Sequence, residues 1–341
     1  MPRPHSAVPC LLAALLALAW IPQRVGAADA KPKPSTFTDA KDAGPDFAVQ
    51  GEYVATIPIN ESATNVGIHV IARGEGKFHA VFYIGGLPGA GWDKTTKYES
   101  DGETIDGVTV FKHELGSAKI VDGVLKLMAL GEVPVGEARK TERSSPTLGQ
   151  KPPEGAVVLF DGKSAEQFDG GRVSDDGLLM EGANSKQKVG DCTLHLEFRL
   201  PFMPSASGQA RGNSGCYLQG RYEVQILDSF GLAGKNNECG GIYEISDPAV
   251  NMCLPPLAWQ TYDIDFTAAR YDSAGQKVKN ASITVRHNGE VVQRNVELPR
   301  TTRAAPVKEG PEPGILHLQN HGNPVRFRNI WLRPLGEYDK P

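Results

Sequence analysis

Polar side chains of unusual type recur at every second position between residues 212 and 229. Counting by two from Asn213 puts these on one face: Tyr217, Gln219, Arg221, Glu223 and Gln225. The alternate positions are apolar, which is typical of strands with one face in a core. An ordinary solvated strand carries Lys, Glu and Thr, whereas a phenol, a guanidinium, a carboxylate and amides together can bind a polyol. The carboxylate can also transfer a proton.

A second polar stripe, made of His317, Gln319 and His321, alternates with apolar Leu316 and Leu318. Either stripe alone is typical of solvated surface, but the two together favour one site. If both strands belong to one sheet, the carboxylate and the imidazole line one groove. The catalytic candidates are Glu223 and His321. The candidates for substrate binding are Asn213, Tyr217, Arg221, Gln225, Asp228, Glu238, Tyr243, His317 and Gln319.

Four cysteines remain once Cys10, which lies in an N-terminal apolar run, is set aside. Three pairings are open. We favour a disulfide between Cys239 and Cys253, which bracket one loop, and expect it to hold Glu238 and Tyr243 at the groove rim. A second bridge would join Cys192 and Cys216, each at the start of a predicted strand. No two cysteines lie two to four residues apart, the usual spacing in a zinc site.

Other catalytic motifs are missing from the sequence. Ser214 lies in Gly-Asn-Ser-Gly and not in the Gly-x-Ser-x-Gly turn of serine hydrolases. The glycine-rich stretch 85–91 is not followed by the Lys-Ser/Thr of a phosphate-binding loop. His-Glu-x-x-His is also absent. The net charge is −4 and the basic residues are dispersed, so the sequence does not indicate a nucleic-acid partner.

The chain begins with a predicted signal peptide, residues 1–27. Arg3 precedes an apolar run of roughly 12 residues, too short to span a bilayer, and the small residues Val25-Gly26-Ala27 follow it. We therefore expect export to the periplasm or the extracellular space after cleavage near Ala27, and no membrane span.

Short β-rich runs separated by glycine and proline predict an all-β chain. We expect a flexible leader at 28–45, a small β-rich domain at 46–133, a linker at 134–154 and a jelly-roll sandwich at 155–337. Strict alternation predicts that Leu194, Leu196 and Phe198 are buried between the two sheets. Asn288-Gly289 predicts a hairpin turn, and a change of parity near Asn329 predicts a bulge.

Six separated motifs, in order, resemble the 3-keto-disaccharide hydrolase domain family over about residues 154–336. They are Leu159-Phe160-Asp161-Gly162-Lys163, Leu196-Glu197-Phe198-Arg199-Leu200, Gly212-Asn213-Ser214-Gly215, Tyr222 to Asp228, Trp259-Gln260-Thr261-Tyr262-Asp263 and Leu318 to Trp331. The resemblance implies a concanavalin A-like jelly roll. The first β region lies outside it and is similar only to N-terminal extensions in planctomycete-type members. Asn320 departs from the family pattern, in which Asp is commoner.

The resemblance also implies activity on glycosides already oxidised at C3. A ketone there acidifies the C2 proton, so a base, an acid and an electrophile suffice for elimination of the C1 oxygen. Glu223 and His321 match the family's polar positions, and Arg221 would stabilise the enolate. Three alternatives stay open: a divalent metal held by the same side chains, a non-catalytic carbohydrate-binding module, and a structural domain of a surface assembly.

Overall fold

The computed structural model describes residues 34–59 and 62–336, in which strands dominate and the helices are short. This confirms the all-β prediction. The helical segments described are the 3₁₀ turns Ala40–Asp42 and Gly208–Ala210 and the helix α1, Gly44–Val49. The predicted signal peptide and the first part of the predicted leader lie outside the described residues. No described helix is both apolar enough and long enough to cross a bilayer.

The first eight strands form a closed antiparallel barrel in which each strand pairs with the next and β1 pairs with β8. Their bounds are β1 Gly51–Ile59, β2 Ser62–Gly74, β3 Lys77–Ile84, β4 Lys97–Ile105, β5 Val108–His113, β6 Gly116–Val121, β7 Val124–Ala129 and β8 Val133–Thr141. The predicted hairpin after residue 67 is β2–β3, and the Gly74-Glu75-Gly76 turn has positive φ throughout. The predicted linker differs from the structure, because its first residues form the strand that closes the barrel.

One end of the barrel is filled by aromatic side chains. Phe202, which follows a strand of the second half of the chain, is fully buried within the barrel's hydrophobic core. Its ring lies 5.3 Å from that of Phe47 in α1 and 6.0 Å from that of Phe37. The barrel is therefore closed at this end by α1 together with a loop of the following sandwich.

The remaining strands form two packed sheets and a small ribbon. Their bounds are β9 Val157–Phe160, β10 Phe168–Asp169, β11 Leu179–Met180, β12 Ala183–Val189, β13 Cys192–Arg199, β14 Ser214–Leu218, β15 Tyr222–Ile226, β16 Trp259–Thr267, β17 Arg270–Tyr271, β18 Lys277–Lys279, β19 Ala281–His287, β20 Glu290–Leu298, β21 Gly314–Leu318 and β22 Arg326–Pro334. One sheet has the order β10-β12-β21-β14-β15. The other has the order β11-β22-β13-β16-β19-β20, with β9 beside β22.

The core of the sandwich follows the alternation in the sequence. Leu194, Leu196 and Phe198 are at most 1% exposed and pack in the core between the sheets, as predicted. The predicted hairpin turns at Asn288 and Gly289, both with positive φ. The predicted bulge is also present, because the pairing of β13 with β22 shifts register beside Asn329, whose φ is 44°.

The segment 142–150 lies on the outer face of the larger sheet, where β13 carries polar residues. Glu197 accepts hydrogen bonds from the backbone nitrogen of Gly149 (2.6 Å), from Arg328 Nε (2.7 Å) and from Asn329 Nδ2 (2.9 Å). His195, fully buried, contacts Asp263 at 2.6 Å. These polar residues therefore fix the connection between barrel and sandwich.

The expected disulfides are not formed, and Cys192, Cys216, Cys239 and Cys253 are buried free thiols. The sulfur of Cys239 lies 3.1 Å from the hydroxyl of Tyr262, and that of Cys253 donates to the carbonyl of Leu227. Cys239 and Cys253 thus have hydrogen-bonding partners, and all four thiols pack in the core as small apolar groups.

Candidate active site

The site is built on the hairpin β14–β15, which lies at one edge of the five-stranded sheet. Its turn spans residues 219–221 and has positive φ at Gln219 and Gly220. This turn sets Tyr217 directly opposite Glu223 and Gly215 opposite Gln225. The side chains between these positions belong to the sandwich core, so Tyr217, Glu223 and Gln225 project from the outer face of the sheet.

A cavity of about 320 Å³ opens on that outer face. Its volume lies in the lower range of small-molecule sites. Its walls are Gln209, Asn213, Tyr217, Glu223, Gln225, Tyr243, Arg303, Ala304, Gln319 and His321. The structure thus brings both catalytic candidates and five of the substrate-binding candidates to one cavity. Most of the wall is made of groups that exchange hydrogen bonds with hydroxyls.

Glu223 is a carboxyl group buried without a cation. It is 3% exposed, and no ion pair to it occurs among the described residues. Burial raises the pKa of Glu223 to about 8, although a hydrogen bond with Tyr217 acts in the opposite direction. A carboxyl group with this pKa is mostly protonated at pH 7, so it can donate a proton to a substrate oxygen.

Gly215 leaves the space that the Glu223 carboxylate occupies. A Cβ atom built at Gly215 would lie 2.1 Å from Glu223 Oε1 and 2.9 Å from a ring carbon of Tyr217. Any larger residue would therefore displace the carboxyl group. This contact gives a physical reason for glycine at the end of the Gly-Asn-Ser-Gly motif.

The Gln225 amide contacts the carboxyl group from the neighbouring position of the same strand. With its nitrogen directed to that side, it donates to Glu223 Oε1 at 2.9 Å and to the carbonyl of Ser214 at 3.0 Å. Asn213 and Gln209 continue this polar wall, joined by a hydrogen bond of 3.1 Å from Asn213 Nδ2 to Gln209 Oε1. These amides fix the orientation of the carboxyl group and offer further donors and acceptors to a sugar.

The Tyr217 hydroxyl lies between Glu223 and a loop of the cavity wall. It accepts a hydrogen bond from Gln319 Nε2 at 3.2 Å and donates to the carbonyl of Arg303 at 3.4 Å. Burial, with the nearby Glu223 carboxylate as a further cause, raises the pKa of Tyr217 above its usual range. Tyr217 therefore stays a neutral phenol, and its single hydrogen can turn from the Arg303 carbonyl to a substrate oxygen.

Two neighbouring segments hold the backbone of Glu223 from the open edge of β15. The Glu223 nitrogen donates to Thr302 Oγ1 at 3.0 Å, and the Glu223 carbonyl accepts from the Tyr243 nitrogen at 3.3 Å. These contacts bring Tyr243 and Arg303 to the cavity. The backbone of Glu223 is thus held at both its nitrogen and its carbonyl by loop residues.

Sequence reasoning missed Gln209, Arg303 and Ala304. Arg303 lies in the irregular stretch between β20 and β21, where no alternating pattern exists that could have indicated it. Its exposed guanidinium pairs with Glu244 at 3.1 Å. Arg303 lines the cavity, whereas Arg221, which the sequence analysis placed there as the cation, does not.

Arg221 is placed elsewhere because the turn interrupts the alternation on which its prediction depended. Its Nε donates to the carbonyl of Lys308 at 2.7 Å, and its NH1 donates to Gln219 Oε1 at 2.8 Å. Since the residue is 4% exposed, it anchors the loop that carries Arg303. It contributes to the site as a positioning residue.

Three other candidates also lie outside the cavity wall. Asp228 follows the end of β15 and is paired with Arg211 Nε at 2.6 Å. Glu238 accepts from the backbone nitrogens of residues 234 and 235 and so closes its own loop. His317 lies beside the ring of Tyr217 and contacts Asn184 Oδ1 at 2.6 Å. Each of these side chains already has a structural partner.

His321 reaches the cavity from a loop and not from a strand. It lies three residues beyond the end of β21 and is exposed. Its imidazole is in the cavity wall, so it can exchange protons with both substrate and water. The prediction that it projects from a strand face differs from the structure, because β21 ends at Leu318.

The donor set of the cavity does not match a metal centre. The wall offers one carboxyl group and one imidazole, and the former is raised in pKa, which opposes metal binding. No cluster of three or more His, Cys, Asp or Glu suited to a metal occurs among residues 34–59 and 62–336. The chemistry available to this site is therefore that of its own side chains.

Comparison with known proteins decides the family. The model of the 3-keto-alpha-glucoside-1,2-lyase-like domain matches residues 155–333. The chain belongs to this family. That match supports the assignment as a carbohydrate-active protein and covers the whole cavity wall. No curated protein matches the chain.

Solved structures with similarity to this lyase-like chain include three candidate glycosyl hydrolases from Parabacteroides distasonis ATCC 8503. One, at 2.13 Å resolution, is 34% identical, with 54% of this chain and 85% of that chain covered and a TM-score of 0.49. A second is 19% identical, with 54% and 95% covered and a TM-score of 0.40. A third is 22% identical, with 53% and 99% covered and a TM-score of 0.37.

Proposed function

We propose that the chain is an exported enzyme that cleaves glycosides carrying a ketone at C3, by eliminating the glycosidic oxygen from C1. The observation that carries this proposal is Glu223, a buried carboxyl group with a pKa near 8 in a polar cavity of monosaccharide size. Among the described residues that line the cavity, Glu223 is the one carboxyl group, whereas a conventional glycosidase needs a second as its base or nucleophile. Elimination needs only one acid and one base.

The ketone makes this chemistry feasible with ordinary side chains. A base takes the proton from C2, the C–H electron pair forms the C1–C2 double bond, and the C1–O bond breaks with its electrons leaving on oxygen. An acid protonates that oxygen, so the products are an alcohol and a 1,2-unsaturated 3-keto sugar. Water added later to the double bond gives the free 3-keto sugar.

The different environments of Glu223 and His321 support different roles for them in proton transfer. Glu223, neutral at pH 7, is the general acid that protonates the leaving oxygen. His321, in contact with solvent, is the base that removes the C2 proton and passes it to water. Arg303 and Tyr217 line the same cavity, and we assign them to the C3 oxygen, where donors stabilise the negative charge of an enolate.

The test compares a 3-keto glucoside with the same glucoside unoxidised. We expect turnover of the 3-keto compound alone and transient formation of the unsaturated sugar, detected by its ultraviolet absorbance and by mass spectrometry. Glu223→Gln should lower turnover by at least about a hundredfold, whereas the matched Glu238→Gln, outside the cavity, should not. Binding of the sugar without any turnover would favour a carbohydrate-binding module, and equal cleavage of both glucosides would refute the substrate class.

Chelation is the control for metal dependence in this assay. The donor set of the cavity predicts that turnover survives incubation with a chelator followed by desalting. Recovery of activity only on adding a divalent cation would instead assign a metal to Glu223 and His321. The export part of the proposal predicts that the secreted protein begins at residue 28, which N-terminal sequencing checks.

A further inference from the structure

The barrel contains a second cavity, which the proposed function does not use. It has a volume of about 290 Å³ and lies at the barrel end opposite Phe47 and Phe202. All eight strands contribute to its wall. The lining is Ile57, Pro58, Ile59, Val66, Phe82, Ile84, Tyr98, Ser100, Phe111, His113, Leu115, Gly116, Ser117, Ala118, Leu127, Met128, Ala129 and Val135.

Apolar side chains at the open end of the barrel, where this cavity lies, are partly exposed although they point into the barrel. Phe111 and Ala118, deeper in the barrel, are at most 2% exposed. Ile57, Phe82 and Ile84, nearer the mouth, are only half-buried. Since the opposite end is filled by aromatic rings, the difference is specific to this end. Unfilled apolar space of this size forgoes hydrophobic and packing energy that a ligand could supply.

The mouth, which is the open end of the barrel, carries two polar groups without a hydrogen bond to the described residues. The Tyr98 hydroxyl and His113 Nε2 make no hydrogen bond to any residue that the structure describes, and their rings lie 5.7 Å apart. His113 Nδ1 accepts from the backbone nitrogen of residue 115, which fixes the ring. The Ser100 hydroxyl is already used, because it donates to the carbonyl of Lys112. One polar atom of a ligand could therefore bind at the rim.

We propose that the barrel binds a compact, uncharged, mostly apolar molecule with one hydroxyl or carbonyl group. Barrels of eight strands are wide enough to hold one small ligand, and such ligands enter at the mouth. The apolar wall excludes an ion, because a charge would lose its hydration without gaining a partner. A free sugar is excluded because most of its hydroxyl groups would lose their hydrogen bonds to water without gaining partners in the apolar wall. The ligand class is thus distinct from that of the Glu223 cavity.

The experiment uses calorimetric titration of the full chain with 2-naphthol, naphthalene and naphthalene-2-sulfonate. We expect micromolar binding of 2-naphthol, binding of naphthalene weaker by about fivefold for loss of one hydrogen bond, and no binding of the sulfonate. Tyr98→Phe should weaken 2-naphthol by a similar factor and leave naphthalene unchanged. Failure of both neutral compounds to bind up to their solubility limit would overturn the proposal.

Cavity-filling variants locate the site. Ala129→Trp and, independently, Ile84→Trp place a large ring at the mouth and should weaken 2-naphthol at least tenfold. The matched control is Lys126→Trp, on the outward face of the same strand as residue 129. Cleavage of the 3-keto glucoside should be the same in all three variants, which shows that the chain is folded and separates this test from that of the proposed function. Equal binding by the filled and control variants would place the ligand elsewhere and refute the assignment.

Discussion

Glu223 has an environment that should be visible in the pH dependence of the reaction. Because burial raises its pKa to about 8, the acid form predominates at neutral pH and is lost as pH rises through 8. If Glu223 is the general acid, kcat/KM should fall about tenfold per pH unit above that value. The measurement is a pH profile of kcat/KM between pH 5 and 10. A limb that rises through pH 8 would instead make Glu223 the base.

Gly215→Ala tests the position of the same carboxyl group without changing it chemically. The added methyl group meets side-chain atoms only, the Glu223 carboxyl group at 2.1 Å and a ring carbon of Tyr217 at 2.9 Å, so the sheet should remain and the carboxyl group should move. We expect turnover to fall at least about tenfold, with a small change in melting temperature. Gly310→Ala is the control, since its Cβ would meet nothing closer than 3.8 Å. Unchanged turnover in folded Gly215→Ala would show that the tight contact has no catalytic role.

At the scale of the elements, alternation in the sequence predicted the strands and the two faces of β13, β14 and β15. Alternation could not predict that the turn at residues 219–221 interrupts the polar face, and for that reason Arg221 was wrongly placed in the groove. Arg303 was missed because it lies on a loop and follows no period. His321 was found by a count by two that continued past the end of β21, so its residue was predicted correctly and its place on a strand was not. Closure of the barrel was also missed, since β8 carries exposed and polar residues and resembles a linker.

The outer face of β13 makes a separate prediction about stability. Burial alone would raise the pKa of Glu197, but hydrogen bonds from His195, Asn329 and Arg328 hold it at about 2. Since this pKa lies below that of the unfolded chain, the stabilisation is present above about pH 4.5 and is lost as pH falls toward 2. Glu197→Gln should lower the free energy of unfolding at pH 7 by about 2 kcal/mol.

Urea unfolding at pH 7 and at pH 3 measures this contribution. The difference between wild type and Glu197→Gln should shrink at the lower pH, because the wild-type carboxylate is then losing its advantage. Glu297→Gln, on an exposed position of β20, is the control. A difference that does not depend on pH would indicate that packing, and not charge, accounts for the effect.

At the scale of the whole molecule, residues 34–336 form part of one compact unit, and Phe202 shows how barrel and sandwich depend on each other. Phe202→Ala should cost about 3–5 kcal/mol, because it opens a hole in the barrel core from the side of the sandwich. We expect a single calorimetric transition in the wild type and a lower, broader or divided transition in the variant. Leu130→Ala, at a side chain 69% exposed, is the control. Two separate transitions in the wild type would show that the halves unfold independently.

Glu223 lies on a strand and Arg303 lies on a loop. The two positions therefore differ in how well they tolerate insertions and substitutions during evolution. Glu223, the proposed proton donor, lies on a hairpin of fixed register, where almost any insertion would disturb the core. The cation sits in a segment of about fifteen residues without regular pairing, which can lengthen or shorten at little thermodynamic cost. Selection for a new leaving group can therefore act on residues 304–313 while Thr302, which holds the Glu223 backbone, and Arg303 stay in place. A library confined to that loop would explore substrate range, and one confined to β14 and β15 would mostly yield inactive protein.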